Sequence, residues 1–290
     1  MDQARKVKDE IGANTLLELL VQTYQEHAIE QINFARSSVL TAREFAQQLE
    51  EVFFNVKTSY ESFLKTLLER DKKKLASDHK NGKEAIVLIS ANNKLYGDII
   101  PQIDNMFLEQ IKKSRSDIVI IGRRGREFIE QMKVTNPYEY FDVPDDHFTL
   151  DTLKPVIFYL FPYKKVTVFH GRFINILTQD AIGSSISGDI SEEKPKKNEE
   201  KQDFLFEPSL EAVLSFFENQ IFSVLFNQTM HEAQLARYAS RIKAMEIAHN
   251  NLEDQLKILK QTQRRFKSMQ LNKKQLQLLS GKKLWGVKIR

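Results

Sequence analysis

Residues 117–131, DIVIIGRRGREFIEQ, pass from a short apolar run into a segment rich in glycine and arginine. The run 118–121 consists of β-branched residues, which favours a buried strand that ends at Gly122. Gly122 and Gly125 stand where a chain turns sharply from strand to helix. The segment lacks the GxxxxGK(S/T) pattern that wraps backbone amides around a phosphate. We therefore expect a strand-to-helix turn with solvated arginines, and not a nucleotide-binding loop.

Apolar runs and helix-length segments alternate on both sides of this turn. They are residues 85–89, 99–113, 117–121, 153–161 and 165–169. Alternation of strand and helix predicts a parallel sheet that is covered on both faces. We place this small α/β domain at residues 84–207 and expect its charged stretch 187–203 to be a flexible, solvated loop.

Long helical segments flank the domain at residues 1–74 and 208–290. The first is free of proline and is predicted to form one long helix or two stacked helices. Its apolar residues at helical spacing include Leu17, Val21, Tyr24, Ala28 and Ile32.

The second flank carries a longer apolar row, with steps of three and four residues. The row is Leu235, Tyr238, Ile242, Met245, His249, Leu252, Leu256, Leu259, Gln263 and Phe266. Such a heptad period predicts a seam packed against another helix. A continuous helix of about 70 residues would be roughly 100 Å long at 1.5 Å per residue. We therefore predict an α/β fold plus a long antiparallel coiled coil, in which the N- and C-terminal helices pair and the α/β domain is inserted between them.

Composition excludes several kinds of site. The chain has no cysteine, which rules out disulfides and thiolate chemistry, and its histidines show no metal-ligand spacing. The segment 183–188, GSSISG, has phosphate-loop glycine spacing, but Asp189 and Ile190 replace the required Lys and Ser/Thr. Asp145 and Asp146 are expected to form a solvated turn. We predict no catalytic, cofactor-binding or metal-binding residue on this chain.

Charge and hydropathy patterns bear on partners and location. The net charge of +4 is mild for 290 residues. The basic tail from Lys282 to Arg290, with Trp285, is interpreted as a helix end, since Lys and Arg complement the negative helix pole. A nucleic-acid or membrane contact is the alternative interpretation of that tail. No apolar run approaches the roughly 20 residues of a membrane span, so we expect a cytoplasmic protein.

Several stretches together, in sequence order, resemble the γ subunit of rotary F-type ATP synthases, the central shaft. They are ISANNKLYGD at 89–98, IGRRGREF at 121–128, HGRFINILTQ at 170–179, FEPSLEAVL at 206–214 and the AMxxAxxN spacing at 244–251. The residues that carry the resemblance include Gly122, Arg123, Gly125, Arg126, Arg241, Ala244, Met245 and Asn251. The resemblance implies a Rossmann-like foot domain inserted in the shaft.

The chain also departs from the family pattern. The basic N-terminal run of the family is missing, Ala236 and Arg237 replace its SE pair, and residues 267–272 replace its RQxxIT. These departures predict a divergent member. It is expected to serve either an ordinary synthase or a paralogous motor, for example one that drives gliding or surface machinery.

The resemblance further implies the partners. Three α-type and three β-type ATPase subunits would surround one copy of this chain, with MgATP or ADP bound on those partners and no cofactor here. An ε-type subunit and a membrane ring, or another torque receiver, are further expected partners. Arg264, Arg265 and Gln270 are predicted to touch the ring. The expected location is cytoplasmic, peripheral to the inner face of the membrane.

Two other functions compete with the shaft. One is a non-motor coiled-coil scaffold with an inserted α/β module, and the other is a nucleic-acid-associated coiled-coil protein that uses the basic tail. The ordered set of γ-like stretches argues against both. Weak, unspecific and salt-dependent DNA binding is what the shaft predicts.

Overall fold

The computed structural model describes residues 2–67, 81–186 and 210–284. The predicted flexible loop 187–203, the start of the second flank at 208–209 and the tail beyond Leu284 lie outside these ranges. The chain divides into two compact units, one made of Met1–His27 with Ile242–Arg290 and the other of Ala28–Arg241.

The helices and strands follow the predicted order of helix, α/β domain and helix. They are α1 Asp2–Leu67, β1 Glu84–Ile89, α2 Ile99–Lys113, β2 Asp117–Ile121, α3 Arg123–Gln131, β3 Tyr138–Phe141, α4 Leu150–Leu160, β4 Lys165–Phe173, β5 Gln179–Ser185 and α5 Leu210–Leu284. The helix α5 contributes residues to both units.

The sheet of the larger unit has the strand order β3-β2-β1-β4-β5. Strand β1 pairs in parallel with β2 and β4, as predicted; β2 also pairs in parallel with β3, which was not predicted, and β4 and β5 are antiparallel. The predicted parallel sheet is therefore confirmed, with one antiparallel edge strand added to it. Strand β5 has no apolar run, and its position follows from a hairpin in which Asn175 Oδ1 accepts the amides of Leu177 and Thr178 at 2.9 and 2.8 Å.

Both faces of the sheet are covered, which explains the nearly continuous apolar sequence of its central strands. On one face, Val87 and Val119 join a buried cluster with residues of α4 and α5, such as Leu153 and Phe226. On the other face α2 packs on the sheet, and the rings of Phe107 and Phe169 meet edge to face at 5.5 Å.

The smaller unit contains an antiparallel helix pair. Asn14 Nδ2 on α1 donates to Gln255 Oε1 on α5 at 3.5 Å, and Gln25 Nε2 donates to Glu246 Oε2 at 3.0 Å. The higher-numbered residue of α1 meets the lower-numbered residue of α5, which confirms the predicted antiparallel coil.

The contact row on α5 in this unit agrees with the predicted seam. Met245, Leu252 and Leu256 are shielded, but Gln263 is exposed and Thr262 takes its place.

The contact row on α1 agrees with the prediction in part. Val21 is shielded and Ala28 and Ile32 are buried, whereas Leu17 and Tyr24 are 48% and 40% exposed. The shielded residues of α1 here are Ala4, Val7, Ile11, Asn14, Glu18, Val21, Gln25 and His27. This row includes polar residues such as Asn14 and Gln25, so the spacing of apolar residues alone does not predict all of its members.

Candidate functional site: α5 on two loops at the sheet edge

The turn from β2 to α3 packs against the end of β1. Gly122 has φ 96°, and a Cβ added there would lie 2.9 Å from the Ala91 nitrogen. A Cβ on Gly125 would lie 2.9 Å from Ser90 Cβ and 3.0 Å from Ile120 Cγ2. At Gly122, only glycine allows both the left-handed backbone and so close an approach to Ala91. The predicted strand-to-helix turn is confirmed.

The first amides of α3 donate to protein oxygens. Arg123 N–H bonds Asn92 Oδ1 at 2.7 Å, and Arg124 N–H bonds the Ala91 carbonyl at 2.8 Å. These bonds fasten the start of α3 to the loop that follows β1.

The arginine side chains of the turn are partly exposed and ion-paired. Arg124 Nη1 lies 2.6 Å from Glu127, and Arg126 Nε lies 3.1 Å from Glu130. Arg123 is more weakly paired, with its Nε 4.0 Å from Glu127. The arginine side chains are partly exposed to solvent, as predicted, but each also lies close to a glutamate of α3.

Asp145 organises the loop after β1. Its carboxylate accepts the amides of Asn92 and Asn93 at 2.8 and 2.7 Å and the hydroxyl of Tyr96 at 3.2 Å. Asp145 is only 4% exposed, so the prediction of a solvated turn is wrong for this residue. A carboxylate can be buried where several donors compensate its lost hydration, and those donors lie some 50 positions away in sequence.

A polar face of α5 covers this loop and the segment around Asp145. The fully or nearly fully buried residues of this face are Gln234, Arg237, Tyr238 and Arg241. Gln234 Nε2 donates to the carbonyl of Asp146, and the Tyr238 hydroxyl donates to the carboxylate of the same residue. We call these contacts, together with those of the two arginines, the α5 clamp.

The two arginines of the α5 clamp bind backbone carbonyls. Arg237 Nη1 donates to Ser90 O at 3.0 Å. Arg241 Nη2 donates to Lys94 O at 3.1 Å and its Nε to Leu95 O at 3.3 Å. The guanidinium of Arg241 also stacks on the Tyr96 ring at 3.9 Å. Hydrogen bonds from charged donors are stronger than those between neutral groups, at about 1.5–3 kcal/mol each.

Charged residues of the α5 clamp and of the Asp145 segment act in opposite directions on the pKa of the buried Tyr96. Burial raises the pKa of Tyr96 to about 12; Asp145 and Asp146 act in the same direction, and Arg237 and Arg241 oppose them. The tyrosine is therefore neutral at physiological pH, and its hydroxyl donates a hydrogen bond to Asp145. Leu95 has a φ of 69°, rare for a residue with a side chain, in the loop that Arg241 holds.

Of the α5 clamp, the family resemblance identifies Arg241, the apolar row contains Tyr238, and neither pattern identifies Gln234. Gln234, Arg237 and Tyr238 stand at helical spacing before Arg241, so long polar side chains recurring on one side of an apolar helix were an available signal. Arg237 had been noted only as a departure from the family.

The other predicted residues lie elsewhere. Met245 is buried and Ala244 is half-buried in the helix pair, and Asn251 is exposed. Arg264, Arg265 and Gln270 are exposed on α5, and their contact with a ring stays a prediction.

A model of the ATP synthase family matches residues 3–273. The chain belongs to the ATP synthase family. The ATP synthase γ chain of Pelotomaculum thermopropionicum is 22% identical, with 85% of this chain and 86% of that relative aligned. The γ chain of Cytophaga hutchinsonii is 21% identical over 97% of this chain and 98% of the relative. The predicted resemblance to γ subunits is confirmed.

Solved structures of the ATP synthase family share the fold. A chain of the Tetrahymena thermophila mitochondrial ATP synthase central stalk and c-ring superposes with a TM-score of 0.55 and 15% identity, covering 79% of this chain and 99% of that chain. A chain of the Euglena gracilis mitochondrial ATP synthase gives 0.53 and 13%, covering 89% and 97%. No helix in the described residues is long and apolar enough to cross a membrane.

Proposed function

We propose that the chain is the central rotor of an F-type rotary ATPase and couples ATP hydrolysis or synthesis to torque. The observation that carries the proposal is a helix pair built from the two ends of the chain, whose longer helix also grips an α/β unit through the α5 clamp. A shaft needs both parts, since it must be turned at one place and must pass the torque on at another.

The α5 clamp suits torque transfer because its contacts are directional. Apolar side chains can slide past one another at low cost, whereas two guanidinium forks and a stacked ring lose their bonds when the helix turns. The clamped loop is itself fastened to Asp145 and to the start of α3. Torque applied to α5 would therefore act on the α/β unit through this network.

The surface of α5 indicates what surrounds it. From Gln255 to Leu284 the sequence contains nine Lys or Arg residues and no Asp or Glu. Acidic side chains on the inner surface of a ring of three α-type and three β-type subunits would complement this charge. Nucleotide binds on those partners in the proposed complex. The α/β unit would meet an ε-type subunit and a membrane ring or another torque receiver, at the inner face of the membrane.

Mass measurement of the intact complex tests the proposal. Tagged protein purified from its native cells should carry three copies of each of two ATPase subunits per copy of this chain. Recovery of the chain alone, or without ATPase subunits, would contradict the rotor and favour a scaffold. Additional co-purified proteins would identify the torque receiver. Service in gliding or surface machinery stays a prediction.

A second experiment tests the predicted ring contacts. Replacing Arg264, Arg265 and Gln270 together by alanine should lower the ATPase turnover of a reconstituted ring, because their contacts guide the helix through successive positions. Arg115→Ala, at an exposed site of the α/β unit, is the control. Unchanged turnover in the triple variant would show that these residues do not contact the ring.

A further inference from the structure

A cavity of about 280 Å³ lies between the loop after β1 and the helices α2 and α3. Tyr96, Ile100 and Asp104 are its buried lining residues, while Asn105 and Gln131 are exposed at its opening. The volume is close to the lower end, roughly 300 Å³, of pockets that hold drug-sized ligands. It suits a ligand of few heavy atoms.

Asp104 is an unusual residue to find in such a lining. It is 5% exposed, and its Oδ1 has no hydrogen-bond partner among the described residues. Arg124 attracts it, but the Nη1 of that arginine is already 2.6 Å from Glu127. Burial is the main cause that raises the pKa of Asp104 to about 7. A buried carboxyl without full compensation calls for a physical explanation.

The remaining walls define the chemistry of an occupant. Ile100, Pro101 and Phe128 offer apolar surface beside the carboxyl group. The other charged groups that line the cavity are Lys94 from the loop and the Arg124–Glu127 pair from α3. A single positive charge attached to a short aliphatic stem would complement Asp104 and these apolar side chains.

We propose that this cavity binds a small organic monoamine, whose ammonium group pairs with the carboxylate of Asp104 and whose stem lies against Ile100, Pro101 and Phe128. The binding free energy would come from a second positive charge beside Asp104, whose burial Arg124 compensates only in part, and from covering apolar surface. The proposal concerns the α/β unit alone and does not depend on the rotor function.

The position of the cavity gives binding a consequence. Lys94 and Leu95 line the cavity and also offer their carbonyl oxygens to Arg241. A bound amine would therefore restrain the same loop that the α5 clamp holds. Binding of the amine should thereby change the stability of the α5 clamp.

The test is calorimetric titration of the whole protein with n-butylamine at pH 6 and pH 8, with n-butanol as the uncharged ligand of equal size. The amine pairs with the ionised carboxyl, so affinity should rise about tenfold between these pH values for a pKa of about 7. n-Butanol should bind much more weakly and without this dependence. Absence of saturable amine binding in the millimolar range would overturn the proposal.

Variants assign the binding to the cavity. Asp104→Asn should abolish amine binding, whereas Glu109→Gln, at an exposed carboxyl on the same helix, should leave it unchanged. Asn105→Trp should weaken binding by filling the opening while the carboxyl stays in place. That variant tests the site even if Asp104→Asn does not fold. Equal binding by wild type and Asp104→Asn would overturn the assignment.

A lysine side chain of another protein carries the same ammonium group as a free amine. A short capped peptide with one central lysine separates the two sources. The proposal predicts that n-butylamine binds at least as tightly as the peptide. Markedly tighter binding of the peptide would overturn the assignment to a free amine and would indicate a protein partner.

Discussion

The guanidinium carbon of Arg241 lies 3.9 Å from the centre of the Tyr96 ring, and the same guanidinium donates to the carbonyl oxygens of Lys94 and Leu95. One side chain thus fixes three consecutive residues of a loop. It reaches them from a helix that is almost 150 positions distant in sequence.

Arg241→Ala should lower the free energy of unfolding by about 2–4 kcal/mol, because two charge-assisted hydrogen bonds and one buried cation–π contact are lost. Arg241→Lys should recover only part of this, since an ammonium lacks the planar fork. Urea unfolding measures both, and Arg172→Ala on the exposed hairpin is the control. Wild-type stability in Arg241→Lys would show that the fork is not needed.

Asp145→Asn should destabilise the protein by about 2–3 kcal/mol, because the amide group has one acceptor oxygen where the carboxylate has two. Two amides and the Tyr96 hydroxyl now share those two oxygens. Asp142→Asn is the matched control, because Asp142 is exposed and accepts the Asn92 side chain. Thermal melts of the two variants should differ clearly. Equal melting temperatures would contradict the role given to Asp145.

Two glycines should respond oppositely to alanine. Gly122→Ala forces a Cβ against the backbone of Ala91 at a left-handed φ. It should lower the free energy of unfolding by more than about 1 kcal/mol, which is the strain typical of such a position. Gly12→Ala lies in α1 with nothing within 4 Å and should stabilise by up to about 1 kcal/mol. Denaturant midpoints measure both changes. A stabilising effect of Gly122→Ala would refute the packing of the turn.

Asp104 should make the protein less stable as pH rises. Its pKa is about 7 when folded and 3.8 ordinarily, so between these values the folded state holds the proton that the unfolded state releases. Asp104→Asn should equal wild type near pH 4 and exceed it above pH 7, by on the order of 2–4 kcal/mol. Chemical unfolding at both pH values tests this, with Glu109→Gln as the unaffected control.

His170 should make the protein less stable as pH falls, the opposite of Asp104. Burial lowers the pKa of the histidine from 6.5 to about 4, so the unfolded state binds a proton in this interval and stability falls as pH drops through it. His170→Gln should remove this loss, which is on the order of 2–3 kcal/mol. The exposed His147→Gln is the control. A pH profile of unfolding that is identical in wild type and His170→Gln would contradict the prediction.

Local patterns were sufficient for much of the fold. The helix at 99–113 and the strand at 117–121 have the predicted bounds, because each is a short element with a clear period and turn residues at its ends. The sequence did not reveal β3 or β5; β5 has no apolar run and joins the sheet by antiparallel pairing with β4. Such pairing depends on the partner strand and leaves little trace in the strand itself.

The candidate site was harder to predict than the fold. Family resemblance identifies Arg241, whereas the local sequence around Asp145 predicts a solvated turn. The role of this carboxylate depends on donors from Asn92, Asn93 and Tyr96, which only the folded chain brings together. Buried polar residues satisfied by distant partners have the same local sequence as surface turns, so periodicity cannot separate the two cases.

The polar residues on the contact face of α1 have a consequence for how the helix pair forms. A seam of leucines alone would tolerate displacement by a whole heptad, since each apolar layer resembles the next. In the observed alignment Asn14 and Gln25 bind Gln255 and Glu246, whereas displacement by one heptad toward the start of α5 would set them opposite Ala248 and Ala239. That displacement would break both hydrogen bonds, at a small cost because both are exposed. The polar residues of the contact face therefore favour one register over its neighbour, and they do so between bonded residues that lie 241 and 221 positions apart in the sequence.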